Sequence, residues 1–215
     1  MHWVASTDAN LLEGTEADLI PFFNSSPIIF LILIPAITMR SIAEERRTGT
    51  IELLFTRPIS DLKILLAKYF ASVTLMLIAL LPTIIYYISM YNLSLDASSF
   101  DHGATITSYI GLVLLGASFV AIGIFTSALT SSQIIAFILA LFFCWLLMPE
   151  IGGLALLASF NLMGSFDSVV QYFGMTYHYD GIQKGVIDTK NIVYFLSLIV
   201  LFIYAALTVI KSLKK

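Results

Sequence analysis

The chain has 215 residues, of which 59% are hydrophobic and only 12% are charged. A soluble domain typically carries about 25% charged residues, so the composition excludes most soluble folds. The net charge of -3 conceals 11 basic and 14 acidic side chains that are segregated along the sequence. We therefore predict an all-α, polytopic transmembrane helical bundle, with residues 1–215 forming a single transmembrane domain.

Five apolar runs have the character of membrane spans. A hydrocarbon core about 30 Å thick requires roughly 20 mostly apolar residues in a helix. Because hydrocarbon offers the backbone no hydrogen-bond partners, such runs must be helical. The predicted spans cover residues 22–39, 64–90, 109–129, 133–148 and 192–210.

The basic side chains predict the orientation of these spans, since lysine and arginine in short loops stay preferentially on the cytoplasmic side. Nine of the 11 lie on one side: five between the first two spans, Lys68 near the cytoplasmic end of the second span, where it can snorkel, and three after the last span. This places the C-terminus inside. The first 20 residues then lie outside and contain no apolar signal region. We expect an upstream helix that this sequence lacks, the alternative being a short acidic tail translocated without one.

No energy source is visible in the predicted spans. Residues 69–95, 103–149 and 191–210 contain no acidic, basic or histidine side chain, whereas an ion-coupled transporter normally carries such groups in mid-membrane. The sequence has no G-x-x-x-x-G-K-[ST] phosphate loop, its three histidines are isolated, and its one cysteine is Cys144. We expect neither enzymatic activity nor a bound metal or cofactor in this chain.

The cytoplasmic segment 40–62 is too charged to enter the membrane and too patterned to be unstructured. Ser41 and Glu44 have capping-box spacing, which predicts the start of a short amphipathic helix. Gly49 is a predicted helix stop, Thr50 begins a second turn, and Pro58 ends it. Arginines here can contact anionic lipid headgroups, but the interspersed glutamates favour a protein partner that carries both signs of charge.

Residues 35–54 read PAITMRSIAEERRTGTIELL and resemble the signature of type-2 ABC transporter permeases. Within that family, the likeness is strongest to the gliding-motility-associated ABC transporter permeases and extends through residues 109–115, 177–179 and 185–188. It covers nearly the whole chain. Such permeases usually have six spans, so the five found here agree with a missing first helix.

The resemblance implies a permease of the inner membrane, an exporter linked to gliding motility or surface secretion. It implies a separate ATP-binding subunit that carries ATP and Mg, and a second permease copy or homologue, alongside membrane lipid and without nucleic acid. The competing hypothesis is a non-transporting scaffold or assembly factor of a motility apparatus. The residues that the resemblance assigns to ATPase coupling are Glu44, Glu45, Arg46, Arg47, Gly49, Thr50 and Glu52.

Three further features concern packing and movement. Gly123 and Ser127 form a small-x-x-x-small pair, which we interpret as a close helix contact within the chain. Pro35 and Pro82 lie within predicted spans and are candidate hinges, because proline leaves a helix carbonyl without its donor. In the outer segment 149–191, apolar pieces too short to cross predict interfacial or re-entrant helices, which in the resembling permeases act as an outer gate.

Overall fold

The computed structural model describes residues 19–56, 58–93, 102–148, 174–185 and 188–214. The elements within these ranges are all helical, in agreement with the predicted class. Nine α-helices are present in this part of the chain, and one 3-10 turn, Leu81–Thr83, separates α4 from α5. The helices are α1 Ile20–Thr38, α2 Ala43–Thr48, α3 Thr50–Phe55, α4 Asp61–Leu80, α5 Ile84–Leu93, α6 His102–Leu129, α7 Gln133–Leu146, α8 Met175–Gln183 and α9 Thr189–Leu213.

Four of the five predicted spans are confirmed as helical stretches long and apolar enough to cross a membrane. They are α1, the continuous run from α4 through the 3-10 turn into α5, α6, and α9. In α6, 78% of the most apolar window is buried within the protein, against 22% in α9. Helix α6 is therefore the centre of the bundle, and it contacts α1, α4, α7, α8 and α9.

The predicted fifth span, residues 133–148, stays a prediction. Helix α7 has only 14 residues, or about 21 Å at the rise of an α-helix, which is shorter than the hydrocarbon core. Its end is joined to the start of α8, because the Met175 amide donates to the Leu147 carbonyl at 2.9 Å. Helix α8 therefore begins where α7 ends, although the two helices are well separated in the sequence.

Helices α7 and α8, placed end to end, lie alongside α6. Helix α7 begins shortly after α6 ends, and the far end of α8 packs against the beginning of α6. There, the Ser108 hydroxyl lies 3.3 Å from the Gln183 carbonyl oxygen, and the Tyr179 hydroxyl donates to the Phe23 carbonyl at 3.0 Å. Of the predicted outer segment, residues 149–173 and 186–187 lie outside the described residues. Interfacial or re-entrant placement of α8, which has nine residues, stays a prediction.

The candidate hinges occupy different local structures. Pro35 lies inside α1, which continues to Thr38 without a break. Pro82 lies in the 3-10 turn, where the helix geometry changes and the Tyr109 hydroxyl donates to the Thr83 carbonyl at 3.0 Å. The hinge role of both prolines stays a prediction.

The interpretation of Gly123 and Ser127 as an internal contact is confirmed. A Cβ atom added at Gly123 would lie 2.0 Å from Oγ1 and 2.7 Å from Cβ of Thr38, at the end of α1. Both helix backbones approach here because position 123 has no side chain, and this contact fixes the end of α1 against α6.

We predict that Gly123→Ala destabilises the protein by about 1–3 kcal/mol, because the added methyl group overpacks a site bounded by Thr38. The measurement is the thermal midpoint of the detergent-solubilised protein. Thr38→Gly removes all the contacting side-chain atoms. The double variant Gly123→Ala with Thr38→Gly should therefore have a higher thermal midpoint than Gly123→Ala alone. Gly111→Ala is the matched control, because its added Cβ would lie 3.1 Å from the nearest atom of Ile182. It should lower the thermal midpoint less than Gly123→Ala does. An unchanged midpoint for Gly123→Ala would contradict the predicted close approach.

Candidate functional site

The predicted coupling residues lie on a short helical hairpin, α2–α3, that follows α1 at one end of the bundle. Gly49 ends α2 with φ of 73°, a left-handed conformation that glycine adopts without strain, so the predicted helix stop is confirmed. The hydroxyl groups of Thr48 and Thr50 lie 2.9 Å apart across this turn. We call this end of the bundle the hairpin end. It also contains the end of α9, where Lys214 Nζ lies 2.8 Å from Asp61 Oδ1.

The start of α2 is capped by a residue far away in the sequence. The Ser127 hydroxyl of α6 accepts from the amides of Ile42 and Ala43, both at 3.0 Å, and donates to the Met39 carbonyl at 3.1 Å. These bonds use the hydroxyl's one proton and both its lone pairs. The predicted capping box of Ser41 and Glu44 is therefore wrong, since α2 has no side-chain cap of its own.

Two charged side chains of α2 point back to the spans. The Arg46 guanidinium donates to the Ala128 carbonyl, one of the free carbonyls at the end of α6, where a cation also interacts favourably with the helix dipole. Glu45 Oε1 lies 2.6 Å from Lys68 Nζ of α4, and the same ammonium donates to the Ser41 carbonyl at 2.6 Å. The side chains of Lys68 and Glu45 are only 20% and 30% exposed. These contacts fasten α2 to two different spans.

The carboxylate of Glu45 depends on Lys68. Its second oxygen, Oε2, is buried and has no hydrogen-bond partner among the residues that the structure describes. Removing the ammonium would leave a largely buried charge uncompensated, which is strongly unfavourable. A shallow pocket beneath the hairpin contains this pair and is lined by Ile42, Glu45, Ile51, Asp61, Ile64, Lys68 and Ile210.

The remaining predicted coupling residues face away from the bundle. Arg47, Gly49, Thr50 and Glu52 are exposed, and Glu44 is partly exposed. Glu44 and Arg47 approach to 3.7 Å on the surface, a pair that contributes at most about 1 kcal/mol. Leu53, an apolar side chain that is 68% exposed, lies beside them. The predicted set therefore divides into two anchoring residues, Glu45 and Arg46, and a mixed-charge surface, which we call the outward face and define as Glu44, Arg47, Gly49, Thr50, Glu52 and Leu53.

Sequence reasoning missed the anchors on the spans. Ser127 stood out only as a small residue suited to close packing, and Lys68 only as a lysine near a helix end. A signal for Lys68 was present, because a basic residue inside an apolar helix requires a partner, but its partner could not be chosen from the sequence.

Comparison with known proteins bears on what this arrangement does. A sequence model described as ABC-2 family transporter protein matches residues 16–214, almost the whole chain. The chain belongs to the ABC-2 transporter family. Comparisons with curated proteins and with solved structures found no match. The resemblance to type-2 ABC permeases is thus confirmed at the level of the family.

Membership defines the broad role of the chain. Members of the ABC-2 family are multi-pass membrane subunits of ABC transporters, generally not catalytic themselves, and they typically work with an ATP-binding subunit. The described residues agree, because they contain four membrane-capable helices. The chain is a permease subunit.

We predict that Lys68→Met loosens α2 from α4, because Glu45 and the Ser41 carbonyl lose a charged hydrogen-bond donor. Loss of such a bond costs roughly 1–3 kcal/mol, so local opening should increase about fivefold or more. Trypsin cleavage after Arg47, followed by mass spectrometry of the protein in nanodiscs, measures this opening. Lys63→Met is the control, because Lys63 is exposed on the same helix. Equal cleavage rates in the two variants would contradict the anchoring role of Lys68.

Proposed function

We propose that this permease is driven by an ATP-binding subunit that docks on the outward face of the α2–α3 hairpin. The observation that carries the proposal is the division of the α2–α3 hairpin, in which Glu45 and Arg46 bind the spans while Arg47 and Glu52 remain exposed. A surface with both signs of charge selects a complementary protein partner and its register. Because the hairpin is fastened to both α4 and α6, movement of a docked subunit reaches two spans together. ATP and Mg belong to that subunit.

The hairpin end is proposed to be cytoplasmic, in the inner membrane, with the C-terminus inside. Support comes from the basic side chains at this end, including Arg40, Lys63 and Lys211, all of which are exposed. We propose that the fifth crossing is made jointly by α7 and α8, which together follow α6 from the hairpin end to the opposite end.

The transport role is proposed to be export by alternating access, in gliding motility or surface secretion, on the strength of the resemblance to the motility-associated permeases. A second permease copy or homologue is proposed to complete the pathway. Apolar side chains on α4, α5 and α9, such as Phe70, Ile85 and Val200, are exposed and suit contact with that copy and with lipid.

We predict that Arg47→Glu combined with Glu52→Arg lowers recovery of the ATP-binding subunit about tenfold or more, because complementary charges become opposed across the interface. The measurement is copurification with the tagged permease, the recovered subunit being identified by mass spectrometry through its phosphate loop. Lys63→Glu combined with Lys211→Glu is the control, since it reverses two exposed charges at the same end away from the hairpin. Copurification that survives the hairpin reversals would refute docking at the outward face.

Absence of any phosphate-loop ATPase from the purified wild-type complex would favour the competing scaffold function. A scaffold needs no ATPase contact, so in that case neither set of charge reversals should alter the recovered proteins.

We predict opposite labelling for the two ends of the bundle. With Cys144 replaced by alanine, single cysteines at Thr48 and Ser212 should react with a membrane-impermeant maleimide only from the cytoplasmic side. A cysteine at Tyr177 of α8 should react only from the other side. All three positions are exposed. Labelling of positions 48 and 177 from one side would overturn the proposed crossing through α7 and α8.

A further inference from the structure

Helix α6 is the longest uninterrupted helix that the structure describes, and the next longest, α9, has 25 residues. It has 28 residues and contains no proline, so it extends about 42 Å without an interruption. By contrast, α1 contains Pro27 and Pro35, and the 3-10 turn separates α4 from α5. An uninterrupted, buried helix has no proline at which to kink, so it transmits a displacement of one end to the other with less bending than an interrupted one.

At the hairpin end, hydrogen bonds join α6 to α2. Ser127 is fully buried and binds three backbone groups of the connection from α1 into α2, and Arg46 binds the adjacent Ala128 carbonyl. Breaking these bonds would leave buried amides of Ile42 and Ala43 without partners, which costs free energy. The junction therefore resists separation, and α2 and the end of α6 move together.

At the opposite end, α6 packs tightly against α8. A Cβ at Gly111 would lie 3.1 Å from Cγ2 of Ile182 and 3.4 Å from Cδ2 of Tyr179, so the two helices are in close contact here. Tyr179 in turn donates to the Phe23 carbonyl of α1. Close-packed contacts of this kind transmit a shift of one helix to its neighbour, because the interior has no free volume to absorb it.

We propose that Ser127 is the positioning residue through which the α2–α3 hairpin moves α6, and that α6 carries this displacement to α8 at the opposite end. Docking of an ATP-binding subunit on the outward face would then displace α8 about 29 Å away, which is the length of helix between Ser108 and Ser127. The inference rests on the proposed function, since the docked subunit supplies the movement.

The test uses the full chain in complex with its ATP-binding subunit in nanodiscs, with Cys144 replaced by alanine and a cysteine at Tyr177 on α8. The maleimide labelling rate is compared between the nucleotide-free complex and the complex trapped with ADP and vanadate. In the otherwise wild-type complex, the rate should change about fivefold or more, the size of a typical coupling between distant sites. Among the complexes that assemble, Ser127→Ala should abolish this change.

Thr126→Ala is the matched control. It also deletes a fully buried hydroxyl of α6, one residue away, but that hydroxyl donates to the Gly123 carbonyl within the same helix. Its labelling response should equal that of the wild type. Arg46→Gln is the second variant, because the Arg46 side chain is only partly buried and its removal leaves the core intact. This variant should weaken the labelling response even if Ser127→Ala assembles poorly.

The outcomes separate the two proposals. A full labelling response in both Ser127→Ala and Arg46→Gln, or none in the wild-type complex while its ATPase turns over, overturns the relay through α6 and leaves docking intact. Failure of the wild-type chain to assemble with an ATPase overturns the proposed function and this inference with it. If Ser127→Ala fails to assemble, Arg46→Gln decides: a wild-type labelling response in assembled Arg46→Gln complexes overturns the relay.

Discussion

The hydroxyl group of Ser127 determines how the hairpin is attached to the bundle. The first amides of a helix have no partner within it, and α2 has no side-chain cap of its own. Ser127 satisfies two of these amides and also binds the Met39 carbonyl, so one side chain joins the end of α1, the start of α2 and the end of α6. The orientation of the outward face follows, because it depends on how α2 leaves α1.

The rest of the bundle is arranged around the helix that carries this hydroxyl. Helix α6 is flanked by α1 at Gly123, where the missing side chain admits Thr38, and by α8 at Gly111. Small residues let neighbouring backbones approach closely, which matters in hydrocarbon because burial of apolar surface there gives little driving force for helix association. The short helix α8, which begins at the end of α7, contacts the beginning of α6 and so completes this arrangement.

The charges of α2 serve two purposes that their order in the sequence does not separate. Glu45 and Arg46 are adjacent to Glu44 and Arg47, yet the first pair binds α4 and α6 while the second pair is on the surface. Substituting Glu45 would release Lys68 and disturb the anchor, so it says little about docking. Arg47 and Glu52 are the positions where a change affects the partner surface without loosening the hairpin.

The sequence by itself determined the helical class, four of the spans, the hairpin with its stop at Gly49, and membership of the permease family. These features depend on composition and on patterns within a few residues, which hydrophobic periodicity and local caps express directly. Only the tertiary structure decided that Ser127, 85 residues from Ile42, caps α2, that Lys68 pairs with Glu45, and that α8 begins where α7 ends. Such contacts depend on which helices become neighbours, and that follows from packing the whole bundle.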